Sequence, residues 1–191
     1  MSRMARITFL CRGEIEHSRT GGFGSDQPLT ATADHNLRQA VQQMRLPDRV
    51  LCAPEKSATE TASILGKAFT VEPSVADIDY GAWTGRTLSD VAEADPSGLQ
   101  SWIEDAVSSP HGGESIASFH ARIRQWMEGN ADQAGHLLVI THQPVIRSVI
   151  LNVLDAPIAA FWRVDIEYGT ITEITRDGRR WSLRAVNRPT R

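Results

Sequence analysis

The chain has 191 residues, 41% of them hydrophobic and 23% charged, with a formal net charge of −3, which allows one domain with a sizeable core and gives no pull toward nucleic acid or an anionic membrane. Two cysteines make no disulfide framework, and no apolar run approaches the length of a membrane span. The N-terminus lacks the apolar core and cleavage site of a signal peptide, so a reducing cytoplasm is the expected compartment.

In chain order, Ile7-Thr8-Phe9-Leu10 is a short run of β-formers that breaks at Gly13. It predicts a buried strand that delivers Cys11 and Arg12 to a loop. Ile15 to Thr30, with Gly21, Gly22 and Gly24, reads as that loop. Leu37, Ala40, Val41 and Met44 share one face of a predicted helix over Leu37 to Met44, closed by Pro47-Asp48. Arg49 to Cys52 follows as a strand, Ser57 to Lys67 as a helix and Phe69 to Val71 as a third strand. Asp79 to Gly85 is a turn with two aromatics, and Thr87 caps a short helix that ends near Ala94. Another helix is expected around Trp102, between Pro96 and Pro110. His111-Gly112-Gly113 is a loop, and Glu114 to Asn130 is a longer helix that buries Ile116, Phe119, Ile123 and Met127.

His136 to His142 carries a near-continuous apolar run, the pattern of a strand at the centre of a parallel sheet. Val145 to Leu154 is a helix. Val164 to Ile166, Thr170 to Thr175 and Trp181 to Val186 read as strands, the last two joined at Asp177-Gly178. Alternating strands and helices followed by a hairpin predict one three-layer α/β/α domain over 1–191, doubly wound, with a mostly parallel sheet and an antiparallel C-terminal hairpin.

Three strands end in residues capable of chemistry: Cys11-Arg12, Cys52 and Thr141-His142. Ligands in open α/β sheets sit beyond the carboxyl ends of the strands, so parallel neighbours would bring these ends to one pocket, with Asp77 just before the Asp79 turn. Arg12 is a candidate anion clamp, or an arginine paired with Glu14 or Asp77 for structure. His142 is a candidate acid, base or hydrogen-bond donor, or a histidine packed under the loop. Cys11 reads either as a thiolate favoured by Arg12 and His142 or as a small buried apolar residue. Asp77 is a proton donor or acceptor, or a solvated loop carboxylate.

Ser18 and Arg19 sit where the first loop can reach back over the pocket, or face water. His17 and His111 lie in loops that could line the rim, and read as surface residues. Gly112 to Ser115 opens a helix whose free N–H groups suit an anion, or is capped in the ordinary way. Cys11, Cys52 and His142 lack the paired short spacing of a metal site, so neither metal nor cofactor is predicted. The compartment disfavours a Cys11–Cys52 disulfide. Arg176, Arg179, Arg180, Arg184, Arg188 and Arg191 crowd the C-terminal hairpin, a solvated face without the aromatic platform of a nucleic-acid site.

The order of motifs resembles the histidine phosphatases, the phosphoglycerate-mutase-like superfamily. Its first motif, Leu-Val-Arg-His-Gly-Glu-Thr, is similar to Phe9-Leu10-Cys11-Arg12-Gly13-Glu14, followed by Pro28-Leu29-Thr30 and Gln39-Ala40. Its second, Ser-Ser-Pro-x-x-Arg-Ala-x-Gln-Thr-Ala, resembles Cys52 to Ala62. Its Asp-Phe-Gly-x-Trp-x-Gly turn looks like Asp79 to Gly85, and Gly-Gly-Glu-Ser stands intact at Gly112 to Ser115. Its last, Val-Ser-His-Gly-Gly-x-Ile-Arg, resembles Ile140 to Arg147.

The resemblance implies a histidine that attacks phosphorus, two arginines and a second histidine on the phosphoryl oxygens, and a glutamate that protonates the leaving group. Carried over, the nucleophile position holds Arg12, the two arginine positions hold Cys11 and Ser57, and the acid position holds Asp77. Only the second histidine remains, as His142. A guanidinium offers no lone pair, covalent catalysis needs an activatable nucleophile, and phosphoryl transfer needs positive charge spread over three oxygens.

The expectation is therefore a repurposed member that binds a small phosphorylated or carboxylated metabolite through Arg12, Cys11, Ser18, Arg19, Ser57 and His142. In it, His142 and Asp77 serve proton transfer while Arg12 holds the anion. The alternatives are a catalytically silent binding module and a residual phosphomonoesterase. No nucleic acid or membrane partner is expected, and a homodimer is left open.

Overall fold

The apolar run of β4 (Gly135–Thr141) is the interior strand of a six-stranded sheet. It pairs in parallel with β1 (Ala5–Cys11) on one side and β2 (Arg49–Cys52) on the other. A strand covered on both faces has no solvent side to make polar, and Leu138, Val139 and Ile140 are at most 1% exposed. β3 (Thr70–Val71) joins β2 in parallel, while β5 (Thr170–Arg176) and β6 (Trp181–Pro189) form an antiparallel hairpin beyond β1. The order is β3-β2-β4-β1-β5-β6. This computed structural model describes residues 5–42, 44 and 47–190, apart from the side chains of Arg19 and Thr20.

Among the described residues six α-helices complete the α/β/α fold: α1 (Ala31–Val41), α2 (Lys56–Ile64), α3 (Leu88–Ala94), α4 (Pro96–Glu104), α5 (Ile116–Gly129) and α6 (Gln143–Leu154). α1 packs on α2 and α5 on α6. The expected α5 stripe of Ile116, Phe119, Ile123 and Met127 is buried as read. Phe119 meets Phe161 edge-on at 6.2 Å, and truncating such a ring costs about 3–5 kcal/mol. Thr87 caps α3 in a reciprocal box with Asp90. Among the described residues no helix is long and apolar enough to cross a membrane.

Two segments depart from the sequence reading. α1 starts six residues earlier than expected, at Ala31, because the Thr30 side chain accepts from the Ala33 N–H and caps it. Only Leu37 of that helix is buried, so its first turns carry no apolar stripe to read. Val164 to Ile166 is not a strand. The Gln143 amide donates to the Ile166 carbonyl, the Asn187 amide donates to the Asp165 carbonyl, and Asn187 Oδ1 accepts from the Glu167 N–H. Side chains satisfy this backbone where a ladder would otherwise do so.

Candidate functional site

Strand register does the first part of the assembly. Cys11 lies opposite Thr141 and Cys52 opposite Ile140, so β1, β4 and β2 run out at one level. The Arg12 N–H donates to the Thr141 carbonyl at 2.8 Å and the Ala53 N–H to the Ile140 carbonyl at 2.9 Å, which carries the ladder one residue further. Arg12, Glu55 and His142 then leave the sheet beside one another.

Glu55 is the N-cap of α2 and His142 the N-cap of α6, and neither side chain caps its own helix. They bind each other instead, Glu55 Oε2 to His142 Nε2 at 2.8 Å, while Glu55 Oε1 accepts the Asp77 N–H at 2.9 Å. The other ring nitrogen, Nδ1, lies 3.3 Å from Arg12 Nε and 3.4 Å from Asp77 Oδ2. A guanidinium N–H only donates, so facing Arg12 assigns Nδ1 the acceptor role and leaves the ring proton on Nε2 for Glu55.

The two carboxylates respond oppositely to this ring. Burial pushes Asp77 above the ordinary carboxylate range, against weaker opposing pulls from His142, the Ile78 N–H and Arg12. Burial also pushes Glu55 upward, but its bond and charge contact with His142 and its backbone N–H bonds, including that of Asp77, bring it below its usual value.

Arg12 is only 9% exposed. Its Nη1 donates to the Gly13 carbonyl at 2.8 Å and to Ser18 Oγ at 3.4 Å, and its carbon lies 5.0 Å from the centre of the Tyr168 ring. Among the described residues its Nη2 has no hydrogen-bond partner. Arg147 approaches the same cavity from α6. Its guanidinium lies 3.7 Å from the exposed Asp165 and 5.9 Å from the centre of the Phe161 ring, and among the described residues its buried Nε has no hydrogen-bond partner.

The cavity measures about 290 Å³. It is lined by the polar and charged side chains of Arg12, Ser18, Asp77, His142, Gln143 and Arg147 and by the rings of Phe23, Tyr80, Trp102, Trp162 and Tyr168. The glycine-rich segment 21–25 lies along it. Gly24 has φ +44 and would place a Cβ 2.8 Å from the Tyr80 ring, while a Cβ on Gly22 would overlap the His17 imidazole. Both glycines are required by close approach to a ring.

Of the residues read from the sequence, the structure brings Arg12, Ser18, Asp77 and His142 together around this cavity. Cys11 does not line it: the side chain is wholly buried in the core, and burial pushes the thiol up to about 12 despite the opposing charge of Arg12. The anion-binding and thiolate roles for Cys11 are corrected accordingly. Ser57 is also wholly buried away from the cavity lining, and its hydroxyl has no partner. That placement does not support the anion-binding role read for it. The Arg19 side chain lies outside the described residues. Cys52 is a second free thiol, pushed up to about 12 mainly by burial.

His111 is not on the surface but 4% exposed, its ring 4.7 Å from that of Trp83. Burial holds its pKa below the ordinary value, against a weaker pull from Asp79. At Gly112 to Ser115 the ordinary capping reading holds: Ser115 Oγ accepts the Ser118 N–H, and the Glu114 carboxylate is taken by Arg122 and the Asp79 N–H. Among the described residues no group of three or more His, Cys, Asp or Glu side chains is placed to hold a metal ion.

Besides the aromatic lining and Gln143, three charged residues that position or line the site went unread. Glu55 had a signal, a carboxylate just past a strand end and immediately before a helix. Arg147 had one too, on the helix that begins at His142. Arg122 had none: it sits on an otherwise amphipathic helix, yet its guanidinium gathers the carbonyls of Ser74, Ala76 and Asp77 and both oxygens of Glu114.

A family model described as the histidine phosphatase superfamily (branch 1) matches residues 7–189. The chain is 29% identical over 146 residues to the bifunctional protein Rv2228c of Mycobacterium tuberculosis, a match over 72% of this chain and 40% of that protein. The chain thus spans less than half the length of that relative. It is 25% identical over 176 residues to the adenosylcobalamin/alpha-ribazole phosphatase of Salmonella typhimurium, covering 86% of this chain and 87% of that one. The crystal structure of the alpha-ribazole phosphatase from Shigella flexneri matches with a TM-score of 0.83 at 22% identity, over 95% of this chain and 96% of that one, a likeness of fold.

Proposed function

Since the chain belongs to the histidine phosphatase superfamily, we propose that it is a divergent member that binds a small phosphorylated or carboxylated metabolite without forming a phosphohistidine. One observation carries this reading: a guanidinium stands at the end of β1, with its Nε 3.3 Å from the imidazole of His142. Arg12 cannot attack phosphorus, because it stays protonated and has no lone pair. It can hold an oxyanion, through the Nη2 that has no hydrogen-bond partner among the described residues. Arg147 supplies a second cation to the cavity lining.

The same geometry supports proton transfer. With Arg12 in place, Nδ1 of His142 is occupied by a donor. An anion that draws the guanidinium off the ring leaves Nδ1 facing Asp77 at 3.4 Å, and a buried carboxyl can give its proton to a histidine at that range. Glu55 keeps the imidazole oriented throughout, as a positioning residue.

The test pairs binding with turnover. Inorganic phosphate should raise the melting temperature of the native chain, while p-nitrophenyl phosphate is not hydrolysed at a rate typical of phosphatases. A phosphorylated residue trapped during turnover would overturn the reading. A second reading, residual phosphomonoester hydrolysis, is supported by the phosphatase names of the relatives. Hydrolysis of p-nitrophenyl phosphate abolished by His142→Ala would select it.

A further inference from the structure

The cavity lining has two chemically different sets of side chains, and of the aromatic set only Tyr168, which lies against Arg12, touches the proposed anion clamp. Besides Arg12 and Arg147, the lining carries the rings of Phe23, Tyr80, Trp102 and Trp162. The rings form a braced surface: Trp102 meets Phe23 at 5.9 Å, Tyr80 at 6.0 Å and Trp162 at 5.0 Å, each edge to face. Packed this way the wall is rigid, with its rotamers fixed before a ligand arrives. Trp162 is 40% exposed, a large apolar side chain left uncovered beside a charged site.

The polar handles on this wall are few. Trp102 is 3% exposed and its indole Nε1 has no hydrogen-bond partner. A polyol or sugar placed here would bury hydroxyl groups against ring faces and leave most of them unpaired, at a cost for each. A flat ring loses nothing polar and gains edge-to-face contact. The volume of about 290 Å³ stands at the lower end of ordinary ligand sites, roughly 300–1,000 Å³. It suits a ring system with one anionic group.

We infer that the site selects an anion that carries a flat aromatic group, its charged end between Arg12 and Arg147 and its ring against Trp102 and Trp162. The inference rests on the anion-binding reading above and narrows it to a substrate class. The cations fix the orientation of the ligand, and the aromatic wall discriminates between ligands of equal charge.

Calorimetric titration with two phosphonates tests this, since their carbon–phosphorus bond removes hydrolysis from the comparison. 1-Naphthylphosphonate and propylphosphonate share a head group and differ in the tail. The native chain should bind the naphthyl compound at least tenfold tighter. Trp162→Ala should shrink that ratio below threefold, and Trp162→Phe should restore most of it. 1-Naphthylmethanol, which lacks the charge, should bind at least tenfold more weakly than the phosphonate.

Equal affinity for the two phosphonates would overturn the aromatic selection and leave anion binding standing. Failure of both to bind would overturn the two together. A ratio unchanged in Trp162→Ala, or equal binding of the neutral alcohol, would also defeat the inference. Should Trp162→Ala not fold, the ratio in the native chain and in Trp162→Phe decides.

Discussion

Arg12 Nε lies 3.3 Å from His142 Nδ1, so the one imidazole that the family pattern leaves at the strand ends is held by a permanent cation. Arg12 also bonds the Gly13 carbonyl and Ser18, and rests on Tyr168, which fixes its position before an anion arrives. Replacing Arg12 by Gln keeps a polar side chain but shortens it and removes the charge. A hydrogen bond to a charged group contributes about 1.5–3 kcal/mol, so Arg12→Gln should weaken phosphate binding by roughly 10–100-fold. Calorimetric titration reads it directly, and an unchanged affinity would put the anion elsewhere.

Glu55 and Asp77 touch the same histidine and should leave opposite marks on stability against pH. Glu55 is lowered in the folded chain, so its contribution is present above the ordinary value of 4.5 and is lost as pH falls through its folded pKa. Glu55→Gln should therefore destabilise by about 1–3 kcal/mol at neutral pH, and the difference should close in acid. Asp77 is raised, so its contribution is complete below 3.8 and is lost as pH rises through its folded pKa. Asp77→Asn keeps an oxygen for the Ile78 N–H and should raise the melting temperature at neutral pH but not in strong acid. Melting curves of the three proteins over pH check both signs; parallel curves would refute the assignment.

The architecture could be read because its signals are local. The apolar run of β4, the stripe of α5 and the Asp177-Gly178 turn each follow from a few neighbouring residues, and each is where the sequence puts it. Arg12 and His142 could be read as neighbours because parallel strands end together. What stayed hidden depends on pairings distant in sequence. Glu55 is 87 residues from His142 and Arg122 is 45 from Asp77, and a charged residue at a helix start or on a helix face has a solvated alternative that looks the same in sequence. Cys11 and Ser57 were misplaced for another reason. At a strand end and in a first helical turn, one residue points into the cavity and the next into the core, and the motif does not say which.

Arg122 should matter well beyond its own helix. It grips Glu114 with two bonds, 2.8 and 2.7 Å, and holds three carbonyls of the segment that ends in Asp77. Removing one side of a half-buried network leaves the rest unpaired, at about 2–4 kcal/mol. Arg122→Ala should lower the melting temperature by roughly 4–12 °C for a chain of this size. It should also weaken phosphate binding, because the Asp77 segment loses its anchor. Arg122→Lys restores charge without the fork and should recover little of either. Full recovery with Lys would mean that charge alone, rather than the five-bond geometry, holds the segment.

Ser57 offers the reverse case, a substitution that should stabilise. Its side chain is wholly buried and its hydroxyl has no partner, while its backbone carbonyl is already used by Thr61 Oγ1 at 2.7 Å. Alanine keeps that backbone bond, removes the orphaned hydroxyl and favours the first turn of α2. A buried unpaired polar group costs about 1–3 kcal/mol, so Ser57→Ala should raise the melting temperature by roughly 2–8 °C. The change should be the same with and without phosphate, because Ser57 does not line the cavity. A fall in melting temperature would show that the hydroxyl is satisfied by an ordered water. A loss of phosphate affinity would return Ser57 to the binding site.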